Sequence, residues 1–176
     1  LPLVALCAAA VCLLAAPAAY AGKVAVADTQ PDWASTTNMT GADQSSDKVV
    51  FSVWLGWKRA GELDRTLASL YDQSSPSYHR WLTPDQFHAR FSPPASDVAA
   101  VRSWLSSEGF SIVGVPANRL FVTAEGSVSK VEQAFGVNEN MYRVDGSVLR
   151  APNQDPVVPA AVAPLVSAIT GLDGAM

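Results

Sequence analysis

Cysteine is confined to Cys7 and Cys12, both inside residues 1–16, a run that is almost wholly apolar. That run is too short and too rich in alanine for a membrane span, which takes about 20 apolar residues. Ala19-Tyr20-Ala21 follows as a small-x-small processing site, with Ala19 and Ala21 at its small positions. Residues 1–21 therefore read as a secretory signal peptide cut after Ala21, and the rest as a secreted chain with no membrane attachment. An uncleaved anchor is the rival reading. The mature chain would hold no thiol nucleophile and no disulfide framework, so its core alone must hold it together. Histidine is scarce: His79 and His88 stand with no cysteine or carboxylate at metal-ligand spacing, and no metal or cofactor is expected. No Gly-x-Ser-x-Gly elbow occurs. The stretch from Gly109 to Gly114 lacks the middle glycine of a nucleotide loop and lies in a strand. Basic residues are few, 12 against 16 acidic, with a net charge of −4 and no basic run. That balance weighs against a nucleic-acid partner.

What is present is a series of well-marked elements. Residues 22–47 are polar and without periodicity, which predicts a flexible N-terminal arm. Asn38-Met39-Thr40 is a glycosylation sequon, meaningful only in a eukaryotic host. Val49, Phe51, Val53, Leu55 and Trp57 then alternate with Val50, Ser52, Trp54 and Gly56, a strand with one strongly apolar face. Leu63, Leu67 and Leu70 give a helix over 61–73, with Glu62 and Asp64 in its first turn. Thr83, Pro84 and Gln86 form a complete helix start, with Phe87 and Phe91 one turn apart and Ser92-Pro93-Pro94 as the stop. Val98, Val101, Trp104 and Leu105 mark a helix over 96–108, ended by Gly109. Strands over 110–115 and 120–124 flank a turn and should pair. Ser127 is placed to cap a helix bearing Val128, Val131 and Phe135, stopped by Gly136. Residues 139–144 and 147–150 form a hairpin about Asp145-Gly146. Pro152, Pro156, Pro159 and Pro164 punctuate residues 151–176, read as an exit segment with a short helix near 160–169.

The order is strand, helices, strand, strand, helix, strand. It predicts an α+β, ferredoxin-like open sandwich: an antiparallel sheet with helices on one face, in β-α-β-β-α-β order, with its core over 48–150. The other face would be bare and rich in apolar residues, a docking surface able to supply the roughly 800 Å² a stable interface takes.

Ser77-Tyr78-His79-Arg80-Trp81-Leu82-Thr83-Pro84, with Phe87 and Phe91, resembles the activation (pro-) domain of the sedolisin/kumamolisin family of serine-carboxyl peptidases. Val98-x-x-Val101-x-x-Trp104-Leu105 before Gly109-Phe110, Val131-Glu132-x-Ala134-Phe135-Gly136, and Ile169-x-Gly171-Leu172 match in the same order. The resemblance spans residues 49–173. It implies an open sandwich whose sheet lies on the cognate peptidase catalytic domain of the same precursor. The activation domain would act as intramolecular chaperone and inhibitor until acid autoprocessing of a secreted serine-type endopeptidase. The family's catalytic set is a Glu and an Asp four residues apart on a helix, a distant Asp, and a Ser in a Ser-Gly-Thr-Ser-like turn. Glu62, Glu108, Glu125, Glu132 and Glu139 are followed four residues on by Thr66, Ile112, Ser129, Gly136 and Arg143, and no Ser-Gly-Thr occurs. No catalytic residue is carried over, and the fragment is expected to be inert. The calcium usual in the family belongs to the catalytic domain. Gly126-Ser127-Val128-Ser129 departs from the family's Gly-Thr-Ala-like helix entry.

Four residues are candidates for facing the partner or sensing pH: His79, His88, Trp54 and Trp57. Release by acid would act through carboxylates paired across the interface, near pH 4, or through a histidine, near pH 6.5. Two other functions compete. One is a free-standing peptidase inhibitor of the same fold. The other is a ligand- or RNA-binding ferredoxin-like domain, for which Trp54 and Trp57 near Lys58-Arg59 are the hint.

Overall fold

A computed structural model describes residues 22–44 and 46–174. The leader 1–21, with Ala19 and Ala21, lies outside the described residues. At the centre is strand β3 (Lys48–Leu55). Its alternation works as read. Val49, Phe51, Val53 and Leu55 are buried, while Lys48, Val50, Ser52 and Trp54 point to the other side with water access. Helices α1 (Ala60–Tyr71), α2 (Pro84–Phe91) and α3 (Ala95–Ser107) follow. Then come strands β4 (Ser111–Gly114) and β5 (Phe121–Ser127) and helix α4 (Val128–Phe135). The last strand of this sheet is β9 (Val166–Thr170).

Across the sheet the order is β4-β5-β3-β9, every neighbouring pair antiparallel. The chain is thus α+β, with β-α-β-β-α-β connectivity. Two of the four helices cover the buried face. α3 contributes Val98, Val101, Trp104 and Leu105; α4 contributes Val128, Val131, Ala134 and Phe135. The core is aromatic at its middle: Phe135 meets Phe51 at 5.2 Å, Trp104 at 5.6 Å and Phe110 at 6.0 Å between ring centroids. Gly126 sits where a side chain would strike the Phe110 ring, at 2.5 Å from Cδ1.

α1 and α2 together line an apolar pocket, with Leu63, Leu67 and Leu70 from one and Phe87 and Phe91 from the other. Their start signals are realised in part. Thr83 and Gln86 close the reciprocal capping box, and Phe87 and Phe91 stack along one face at 5.3 Å. Arg90 bridges back to Glu62 in the first turn of α1 at 2.6 Å. That hydrogen bond, above all, holds the half-buried Glu62 carboxyl below its ordinary range. Ser127 stands at the N-cap of α4 but makes no capping bond; its hydroxyl meets that of Ser129 at 3.0 Å instead.

The structure departs from the sequence reading at four places. The fourth strand is β9, where a helix was expected. A 3₁₀ turn at Ala163–Leu165 gives way at Val166 to an extended edge. β-branched Val166 and Ile169 favour the strand, and Ile169 pairs with Val53 in the core layer. Residues 139–144 therefore do not complete that sheet. β6 (Glu139–Val144) and β7 (Ser147–Pro152) form the expected hairpin, with φ of 49° at Asp145 and 84° at Gly146 as a type I′ turn demands. The hairpin joins β2 (Met39–Ala42) in a separate three-stranded sheet. Its Tyr142 and Ala151 face Trp33 and Ala34 in a small second core.

Residues 22–47 are, third, not a loose arm. β1 (Lys23–Ala25) pairs with β8 (Val157–Pro159), and β2 pairs with β6. Asn38 is absorbed here too: its side-chain amide donates to the Trp33 carbonyl at 2.6 Å and its oxygen accepts from Ser35. The boundary expected at 150 likewise falls inside the fold, since Val158, Ile169 and Leu172 belong to the main core.

Candidate partner interface

The face of the four-stranded sheet opposite α3 and α4 is left open by the described residues. Its rows follow from strand periodicity: Lys48, Val50, Ser52 and Trp54 on β3, beside Phe121, Thr123 and Glu125 on β5, with Thr170 on β9. Val50 is 51% exposed and Val113 at the far edge 58%. Trp54 and Phe121 are opposite each other in the ladder, with ring centroids 4.6 Å apart. The indole N–H of Trp54 donates to Thr170 Oγ1 at 3.0 Å. Ser52 and Thr123 share a hydroxyl hydrogen bond at 2.9 Å, and Lys48 pairs with Glu125 at the end of the face.

The face is less apolar than expected. Along the strands it runs from the Trp54–Phe121 aromatic pair through the Ser52–Thr123 hydroxyls to the Lys48–Glu125 ion pair. Such a mixture tolerates water when bare and still offers an aromatic pair for burial.

The other candidate residues lie elsewhere. Trp57 leaves the sheet and packs edge-on against Phe87 of α2 at 5.4 Å. His79 belongs to the α1–α2 connection. It adopts a left-handed φ of 56°, donates its backbone N–H to the Leu70 carbonyl, and lies between the rings of Tyr78 and Trp81 at 3.8 and 5.6 Å. His88 is half-buried in the last turn of α2. The structure thus brings Trp54 alone of the four to the sheet face. It also separates Trp54 and Trp57, so the aromatic platform beside Lys58-Arg59 that RNA binding would need is not assembled. Phe121 was missed, although Phe121 and Thr123 alternate with Val122 and Ala124 and could have been placed opposite Trp54 on that pattern.

A family model described as "Pro-kumamolisin, activation domain" matches residues 35–175. The chain belongs to this family. Its curated relatives agree. This activation domain is 30% identical over 149 residues to xanthomonalisin of Xanthomonas sp. (strain T-22), covering 79% of this chain and 18% of that protein. It is 27% identical over 111 residues to sedolisin of Pseudomonas sp. (strain 101), covering 63% of this chain and 19% of that protein. Tripeptidyl-peptidase sed1 of Aspergillus fumigatus is 30% identical over 83 residues, 46% of this chain and 13% of that protein. The activation domain spans less than a fifth of the length of each of these relatives. Among its described residues, no helix is long and apolar enough to cross a membrane.

Proposed function

We propose that this chain is the N-terminal activation propeptide of a secreted serine-carboxyl endopeptidase and that its open sheet face lies on the catalytic domain of the same precursor. The observation that carries the reading is the uncovered face with the Trp54–Phe121 aromatic pair at one end, in a chain of the activation-domain family. Membership of the family and the short share of its peptidase relatives support the place in a longer precursor.

The domain has two tasks on this reading. It templates the peptidase by presenting a preformed sheet, so that apolar surface is buried before long loops must close. It also inhibits, by holding the exit segment across the cleft until acid autoprocessing. Acid acts on ion pairs across the interface: a carboxylate with a lowered pKa loses its stabilising contribution as pH falls through that value. The decisive experiment supplies the chain in trans to the mature catalytic domain encoded downstream. Potent inhibition near neutral pH, relaxed in acid, is the expected result. A chain that neither inhibits that domain nor improves its refolding yield refutes the proposal.

A further inference from the structure

Five segments meet at one buried ionic cluster that the docking face does not use. Glu139 opens β6 with no exposed surface. Its backbone N–H donates to Glu132 Oε1 of α4 at 3.0 Å, and its carbonyl accepts the N–H of Asp43 at 2.8 Å. Both of its side-chain oxygens are buried without a hydrogen-bond partner. Arg150 of β7 stands 3.9 Å from Oε2 and 3.7 Å from the Asp43 carboxylate. The same arginine holds the segment after β9: its Nε donates to the Leu172 carbonyl at 3.3 Å, and its own carbonyl accepts the N–H of Gly174 at 2.8 Å.

The charges that bear on Glu139 are therefore Arg150 from β7, Asp43 after β2, Glu132 from α4 and Asp173 beyond β9. One cation faces three other carboxylates. A fourth negative charge, desolvated, is unfavourable there, whereas a protonated carboxyl is neutral and gains an O–H to donate. Burial first, then the neighbouring carboxylates, push this group up to about 8 against the pull of Arg150.

We propose that Glu139 is a proton-uptake site that clasps the exit segment: the domain folds with this carboxyl protonated, leaving Arg150 to hold Asp43 and residues 172–174. The direction follows from linkage. The unfolded chain gives Glu139 its ordinary pKa of 4.5. The folded chain binds one more proton between that value and its own. Stability is therefore full below pH 4.5 and is lost as pH rises toward 8. Acid tightens this clasp rather than opening it.

The test is equilibrium unfolding of the full chain between pH 5 and 8.5, for wild type and for Glu139→Gln. One proton makes the wild-type unfolding constant rise by nearly tenfold per pH unit through the middle of the window, flattening as pH passes about 8, relative to the variant. Parallel pH profiles would overturn the proposal. Should the variant fail to fold, a carbon-13 titration of the wild-type Glu139 carboxyl decides. A midpoint well above the ordinary range supports uptake, and one near 4.5 refutes it. Hydrogen exchange at the Gly174 amide, corrected for intrinsic rate, reads the clasp itself. Its protection should fall as pH passes the Glu139 midpoint, and protection independent of pH would refute the link to the exit segment.

Discussion

Replacing Trp54 with alanine separates docking from folding. Inside the domain, Trp54 makes one offset ring contact with Phe121, worth about 1 kcal/mol, and one half-exposed hydrogen bond to Thr170 that water replaces at little cost. The domain should therefore lose about 1–2 kcal/mol, a tolerable fraction of an ordinary domain stability of roughly 5–15 kcal/mol. At the interface the same indole is the largest side chain on the open face. A tryptophan anchor buried at an interface is worth about 2 kcal/mol, which is roughly a thirtyfold loss of affinity. The assay is inhibition of the mature catalytic domain by wild-type and Trp54→Ala chains, with urea unfolding of each measured alongside. Trp81→Ala is the control, because Trp81 is 55% exposed but lies on the α1–α2 side. A well-folded Trp54→Ala chain that inhibits like wild type would refute the docking face. So would a Trp81→Ala chain weakened just as much.

Two further substitutions test the packing. Phe135→Ala empties the meeting point of Phe51, Trp104 and Phe110 and should cost about 3–5 kcal/mol, read as a lower urea midpoint at unchanged slope; a loss under about 1 kcal/mol contradicts that core. Gly171→Ala combines a φ of +86° with a side chain 2.7 Å from the Val50 carbonyl and should cost about 2 kcal/mol or more. Gly114→Ala, where a side chain meets nothing within 4 Å, is its near-neutral counterpart, and equal losses at the two positions would contradict the close approach of β9 to β3.

Much of the fold was legible because it is written locally. The alternation from Val49 to Leu55, the Thr83 capping box and the Asp145-Gly146 turn each specify their own geometry within a few residues. What escaped depends on pairing between distant segments. β1 and β2 are short, with no periodic apolar face, and they are strands only because residues 157–159 and 140–142 arrive beside them. The Ala/Val run around Pro164 fits a buried helix or a buried strand equally by period, and the vacant edge of β3 decides between them. The candidate site was half legible. Trp54 was placed on the right face by period two, but nothing local says that Trp57 turns away to Phe87 or that His79 is stacked into a loop. Glu139 gave no signal at all. A charged residue opening a strand reads as solvated, and only the arrival of Asp43, Arg150 and Asp173 around it makes it a buried acid.

Because the tail supplies the outer strand beside β3, a growing polypeptide cannot finish this sheet until Thr170 has left the ribosome. Until then β3 keeps a raw edge, and the unit waits, unclosed, for its last residues.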